Sequence, residues 1–315
     1  MVDIEELLEQ RGISYDQYGG YFDETEQIFN ELVDTISDTE AEFDYYSNKI
    51  KNDVRVENRE VIQLIKGFHL LTMSQTESFL RTANEKGLIN DANSPHVHTV
   101  FNMHTRAVRT YLEVITLIIH GLPDGAYARN RTLYEIVFNM RVFNQYGGRA
   151  VQSFNKHELK KGNKFDWILG IPEVKKQFPE YYGKNKKKFN LHDINKICSD
   201  DGYLMERWKK VYGISNKIIH ITHEGTFSSL STDGEYLANP DYSTKNILIV
   251  ADHVVKLFSM INTLFYQIIL DELNPTEEDI ELLQYTYFNS LYSDRCCDVI
   301  ELRLSQDLTK KNNMI

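Results

Sequence analysis

The stretch Leu117-Ile118-Ile119-His120-Gly121-Leu122-Pro123-Asp124 decides the fold. Upstream, Phe101, Val108, Leu112, Ile115 and Ile119 recur at helical spacing from about His98 to His120. Gly121 and Pro123 are the usual punctuation after a helix, and Asp124 is placed to cap the next one. That next helix is predicted to run to Asn144, with Leu133, Ile136, Val137, Phe138 and Met140 apolar, and Gly147-Gly148 closes it. Two long apolar helices joined by so short a turn must lie antiparallel. They are expected to form the centre of the core.

Working outward, the same periodicity predicts further helices. Val61, Ile62, Leu64, Ile65, Phe68, Leu71 and Met73 mark one over Asn58 to Asn84, and residues 85–95 read as its connection to the hairpin. Asp23-Glu24-Thr25-Glu26 reads as a helix start before Ile28, Phe29, Leu32, Val33 and Ile36. After the hairpin, residues 150–200 are polar, Lys-rich and interrupted by Pro172 and Pro179, which suggests short helices and loops. Another helix is predicted from about Gly202 to Glu224, and residues 225–242 carry the turn chemistry of a small hairpin. A helix from Thr244 to Leu270 is apolar on nearly every side and is expected to be buried. A last one is predicted from Pro275 to near Leu291, with Thr309–Ile315 frayed. The expected fold is all-α, a bundle of about seven main helices with a small irregular or hairpin insertion. The expected organisation is an acidic N-terminal segment over 1–54, a core domain over 55–272 with a Lys-rich insertion at 150–200, and a C-terminal helix and tail over 273–315.

Composition agrees with a helical protein. Six Pro and 16 Gly in 315 residues leave little material for a strand-and-turn architecture, while 19 Tyr and 16 Phe supply large side chains for burial. No segment has the roughly 18 consecutive apolar residues of a membrane span. The start Met-Val-Asp-Ile-Glu-Glu is acidic where a signal peptide would be basic. Three Cys, two of them adjacent (Cys296 and Cys297), make a poor disulfide framework, so a reducing cytoplasm is expected. A net charge of −11 argues against nonspecific attraction to nucleic acid. The charge is uneven, however. Residues 1–46 hold 14 Asp and Glu against one Arg, whereas Lys160 to Lys188 holds nine Lys.

Two polar sets stand on apolar helices. Arg131 and Glu135 lie four apart on one face of the hairpin's second helix. They are either an exposed pair contributing little or a partnered pair held inside, where burial without compensation would cost several kcal/mol. Asn216, His220 and His223 fall at i, i+4 and i+7 on one face of the Gly202–Glu224 helix. Two His at that spacing can reach one metal, with Glu135 as a third ligand, or one can act as acid or base near neutral pH. No complete ligand set is written in the sequence, and none of the glycine-rich, phosphate-loop, zinc-protease or serine-elbow motifs is present. Neither a metal nor a cofactor is therefore assigned. His96, His98 and His104 could cluster near a helix start, but Ser94-Pro95 reads there as a cap and turn; Cys296-Cys297 reads as packing, and Lys184 to Lys188 as a solvated loop.

The run from Leu117 through Ala128-Arg129-Asn130-Arg131-Thr132-Leu133-Tyr134-Glu135 resembles a widespread bacterial family of unknown function. In that family a helix hairpin ends in Arg-x-Leu-x-Glu. A Trp, here Trp167, and a later Tyr-x-x-x-Ser-x-x-x-x-His element complete the resemblance, with Tyr212 one place closer to Ser215–His220 than the pattern has it. The resemblance covers about residues 55–270 and extends, more distantly, to the helical HEPN superfamily of nucleotide-binding or RNA-cleaving domains. Those nucleases place a His four to six residues after an Arg. Here Tyr134 stands where that His would follow Arg129.

The resemblance implies a bacterial defence or toxin-like protein acting on RNA or a nucleotide through a metal-independent site. Arg131, Glu135, His220 and His223 would be catalytic, and Arg129, Tyr212, Ser215 and Asn216 would bind substrate. A homodimer, a protein partner for the acidic N-terminus and no membrane association are the expected partnerships. The alternative is a non-catalytic sensor or interaction module in which Arg131, Glu135 and His220 form a structural polar network.

Overall fold

The computed structural model describes residues 36–157, 165–182, 187, 189, 191–198, 244–276 and 280–312. The chain divides into two compact units, residues 1–52 and 53–315. Among the described residues the structure is all-α. The long helices are α1 (Ile36–Glu57), α2 (Arg59–Glu85), α3 (Ser94–Ile119), α4 (Pro123–Tyr146), α8 (Thr244–Leu273) and α9 (Ile280–Asn312). Shorter pieces lie between α4 and α8: α5 (Gly148–Lys156), a 3₁₀ turn (Asp166–Gly170), α6 (Pro172–Gln177), a second 3₁₀ turn (Pro179–Tyr181) and α7 (Leu191–Ile197). The short helices and loops expected over 150–200 are what this region contains where it is described. The predicted Asp23–Ile36 and Gly202–Glu224 helices and the 225–242 hairpin lie outside the described residues.

The α3–α4 hairpin is present, and its turn is as short as the sequence implies. Gly121 takes φ +70°, a left-handed conformation that a Cβ would strain, and its N–H returns to the Ile118 carbonyl at 3.0 Å. One detail differs. Asp124 does not cap α4: Leu122 holds the cap position and Pro123 opens the helix, where its missing N–H costs nothing. Asp124 sits in the first turn, where its charge complements the helix dipole. Likewise α3 begins at Ser94, earlier than predicted, because Pro95 fits a first turn and does not break it.

α8 is the central element and packs against α4, α9, α3 and α2. Val250, Ala251, Val254, Val255, Phe258, Ile261, Phe265 and Ile269 are fully buried on it. Among the described residues it is the one helix long and apolar enough to cross a membrane; here that apolar surface meets other helices. Aromatic rings fill the space around it. Tyr111 of α3 stacks on Phe258 at 4.1 Å, and Phe79 of α2 meets Tyr266 edge-on at 5.1 Å. Burying each such ring contributes roughly 1.5–3 kcal/mol.

The largest departure from the sequence reading is α9, which continues past Leu291 to Asn312. No Gly or Pro occurs between Ile280 and Asn312 to end it, and Cys296, Val299 and Ile300 carry a buried stripe through the extension. The tail expected to fray from Thr309 is helical as far as Asn312. The Tyr292 side chain of α9 reaches over Gly67 of α2, and a Cβ there would fall 2.0 Å from its hydroxyl oxygen, so a larger residue requires the Tyr292 side chain to move.

Candidate functional site

Arg131 and Glu135 occupy neighbouring turns of α4, with Arg131 Nε 3.5 Å from Glu135 Oε1. Their side chains are 29% and 23% exposed, so the pair is neither sealed in the core nor loose in solvent. Glu135 faces an open cleft of about 460 Å³ between α3, α4 and α5. Thr99, Asn102, Met103 and Arg106 line it from α3, Thr132, Ile136 and Asn139 from α4, and Phe154 and Asn155 from α5. The spacing explains the grouping: 132, 135, 136 and 139 fall on one side of a 3.6-residue helix.

The chemistry of this cleft is polar over an apolar floor. Arg106 is exposed and makes no ion pair among the described residues. Asn139 Oδ1 is buried without a donor, a state that costs roughly 1–3 kcal/mol unless something else provides one. Asn155 and Thr99 hold each other, the Asn155 Nδ2 donating to Thr99 Oγ1 at 2.9 Å. Beneath them Phe154 packs edge-on against Phe143 and Trp167, with ring centres 5.4 and 5.3 Å apart. Trp167 is therefore part of the wall that supports the cleft.

Arg129 is engaged elsewhere. It bridges to Glu113 of α3 at 3.0 Å, both side chains about half exposed, which clips the hairpin from outside, and it does not line the cleft. Asn130, between the two arginines, is fully buried with neither amide atom hydrogen-bonded. Tyr212, Ser215, Asn216, His220 and His223 lie outside the described residues. Among the described residues no group of three His, Cys, Asp or Glu could hold a metal ion.

A second polar set escaped the sequence reading. His104 Nε2 lies 2.8 Å from Asn262 Oδ1, and Asn262 Nδ2 donates to Thr72 Oγ1 and Asn289 Oδ1, each at 3.1 Å. Asn289 Nδ2 donates in turn to Gln75 Oε1, and to the Tyr266 hydroxyl at 3.2 Å. The six residues come from α2, α3, α8 and α9, and all are buried. Burial holds the His104 pKa down at about 4 against the opposing Asn262 hydrogen bond, so its ring is neutral and donates Nε2–H to the amide oxygen. Its only sequence signal was a polar residue recurring on the apolar face of each helix. The residues that must meet are up to 217 positions apart, which periodicity cannot pair.

Comparison with known proteins bears on the same stretch. Residues 97–237, which include most of α3, all of α4 and α5, the cleft and both polar motifs, match the model of a family described as "Family of unknown function (DUF5677)". The match is narrower than the 55–270 span of the resemblance and covers less than half of the chain. No curated protein and no solved structure matches. Over that stretch the chain is similar to a family of unknown function, and its chemistry has to be read from its own residues.

Proposed function

We propose that this chain is a cytoplasmic defence or toxin-like protein that acts on RNA or a nucleotide, with the α3–α4–α5 cleft as the holding part of its site. The observation that carries the reading is the Arg131–Glu135 pair at the rim of an open cleft that also contains Arg106, a cation that makes no ion pair among the described residues. Arg106 and Arg131 hold a phosphate, for which the guanidinium fork is well suited. Glu135 orients Arg131. Asn102 and Asn139 offer amides to a base edge above the floor of Met103, Ile136 and Phe154. His220 and His223, on a segment outside the described residues, act as acid and base in moving a proton to and from a ribose 2′-oxygen, which requires no metal. The distant HEPN-like resemblance supports the substrate class, and the missing Arg-to-His spacing means the proton chemistry must use a different pairing.

The test is expression of the wild type, Arg131→Ala, Glu135→Gln and His220→Ala with growth and RNA integrity as readouts, alongside circular dichroism of the purified proteins. Variants that fold normally and lose growth arrest or RNA cleavage support the reading. Variants that only melt earlier, or a wild type that neither binds nor cleaves RNA, sink it.

One observation favours the rival interaction-module reading. Tyr287, Phe288 and Leu291 stand 64%, 55% and 47% exposed within about one turn of α9, the kind of apolar patch that meets a protein. Loss of a co-purifying partner in Phe288→Ser, with RNA intact throughout, would favour that reading instead.

A further inference from the structure

α5 separates two recesses. Its Phe154 and Asn155 face the cleft already described, while Gln152, Ser153 and Lys156 line a second groove of about 490 Å³ against the Asp166–Gly170 turn and the start of α6. Each is of the size that takes one small ligand. Each also has an exposed cation without an ion-pair partner among the described residues, Arg106 in the first and Lys156 in the second. Trp167 lines the second groove, and its buried indole N–H, a donor only, has no acceptor.

The stretch of sequence that follows α5 differs in charge from the rest of the chain. The chain is −11 overall, yet Lys160 to Lys188 holds nine Lys against three Asp and Glu. Within the described part, Lys175 and Lys176 are exposed on α6, and Arg149 at the groove is held by Glu173. An acidic protein gains nothing for solubility from a local cationic surface, and it attracts polyanions only where such a surface exists.

We infer that the ligand of the α3–α4–α5 cleft is a single RNA strand and not a free mononucleotide, and that it crosses α5 into the second groove, where Lys156 and the α6 lysines meet its backbone. This rests on the reading that the cleft holds a nucleotide. The two recesses then take successive parts of one strand, and the cations supply sequence-independent attraction that weakens with salt.

The experiment measures binding of AMP and of a labelled single-stranded RNA of about 12 nucleotides, inside the ~4–16 range of single-strand sites. It compares wild type, Lys156→Glu/Lys176→Glu and Arg106→Ala, between about 50 and 200 mM salt. The expected result is that the strand binds at least about tenfold more tightly than AMP to the wild type. The double Lys variant should lose about tenfold on the strand, lower the magnitude of its log–log salt slope by about 1.4, and leave AMP unchanged. Arg106→Ala should weaken both.

If AMP binds but the strand gains nothing, or if the double Lys variant leaves strand binding intact, the path across α5 is overturned while the nucleotide reading stands. If neither ligand binds the wild type, the nucleotide reading itself fails. If poly-glutamate competes as well as RNA at equal charge, the surface is an acidic-protein dock and the RNA path is again overturned.

Discussion

The core network around His104 and the cleft beside Glu135 use nearly the same side chains, Asn, Thr and a basic group, to opposite ends. In the core, Thr72, His104, Asn262 and Asn289 are sealed and partnered with one another. In the cleft, Arg106 and Asn102 are open to solvent and Asn139 Oδ1 lacks a donor. A satisfied polar set in low dielectric fixes which helices meet, because every wrong packing leaves unpaired groups. A polar set that is open and incompletely satisfied has capacity left for something outside the chain. The contrast lies in accessibility and partner count, and residue type alone does not give it.

That contrast can be broken most forcefully in the core. Asn289→Leu removes the hub that joins Thr72, Gln75, Asn262 and Tyr266, so stability should fall by about 3 kcal/mol, read as a lower urea midpoint with nucleotide binding retained when folded. The same network should be acid-sensitive. Native His104 takes up its proton near pH 4, whereas the unfolded chain does so near 6.5, so between these values the unfolded state binds more protons. Stability therefore falls as pH is lowered through that window, by about 1.6 kcal/mol between pH 6.5 and 5, and the slope fades within about a unit above it. His69 is also lowered by burial and adds to the loss in the same direction. His104→Gln should remove the His104 share of the pH slope in urea titrations at pH 7 and pH 5.

In the cleft the expected effects are on binding. Arg106→Ala and Glu135→Gln should each cost tenfold or more in nucleotide affinity, measured by calorimetry, while shifting stability by less than about 0.5 kcal/mol. A comparable stability loss in either would erase the distinction between the two regions. The smallest effect belongs to the hairpin's outer clip. Arg129→Ala breaks an exposed pair with Glu113 and should change stability by at most about 1 kcal/mol and affinity not at all.

The fold was legible wherever one helix speaks for itself. Gly121 and Pro123 located the hairpin, and the unbroken apolarity after Thr244 located the central helix. Boundaries were read less well for local reasons: Pro95 and Pro123 open helices where they read as connection, and α9 runs on because nothing in its sequence stops it. The site was half legible. Arg131 and Glu135 could be paired from their spacing, but Arg106, Asn102 and Phe154 come from two other helices, and their meeting follows from tertiary packing alone. The core network was illegible for the same reason, since its members span four helices and most of the chain's length.

The apolarity of α8 on nearly every side has a consequence for life in a cell. While the chain is incompletely folded, the apolar side chains of this thirty-residue helix stand open, and the partners that cover them, α4 and α9, are made before and after it. Until α9 emerges from the ribosome that surface is only partly sheltered, so this protein is expected to lean on chaperones during synthesis and to be cleared quickly when its C-terminal helix is cut away.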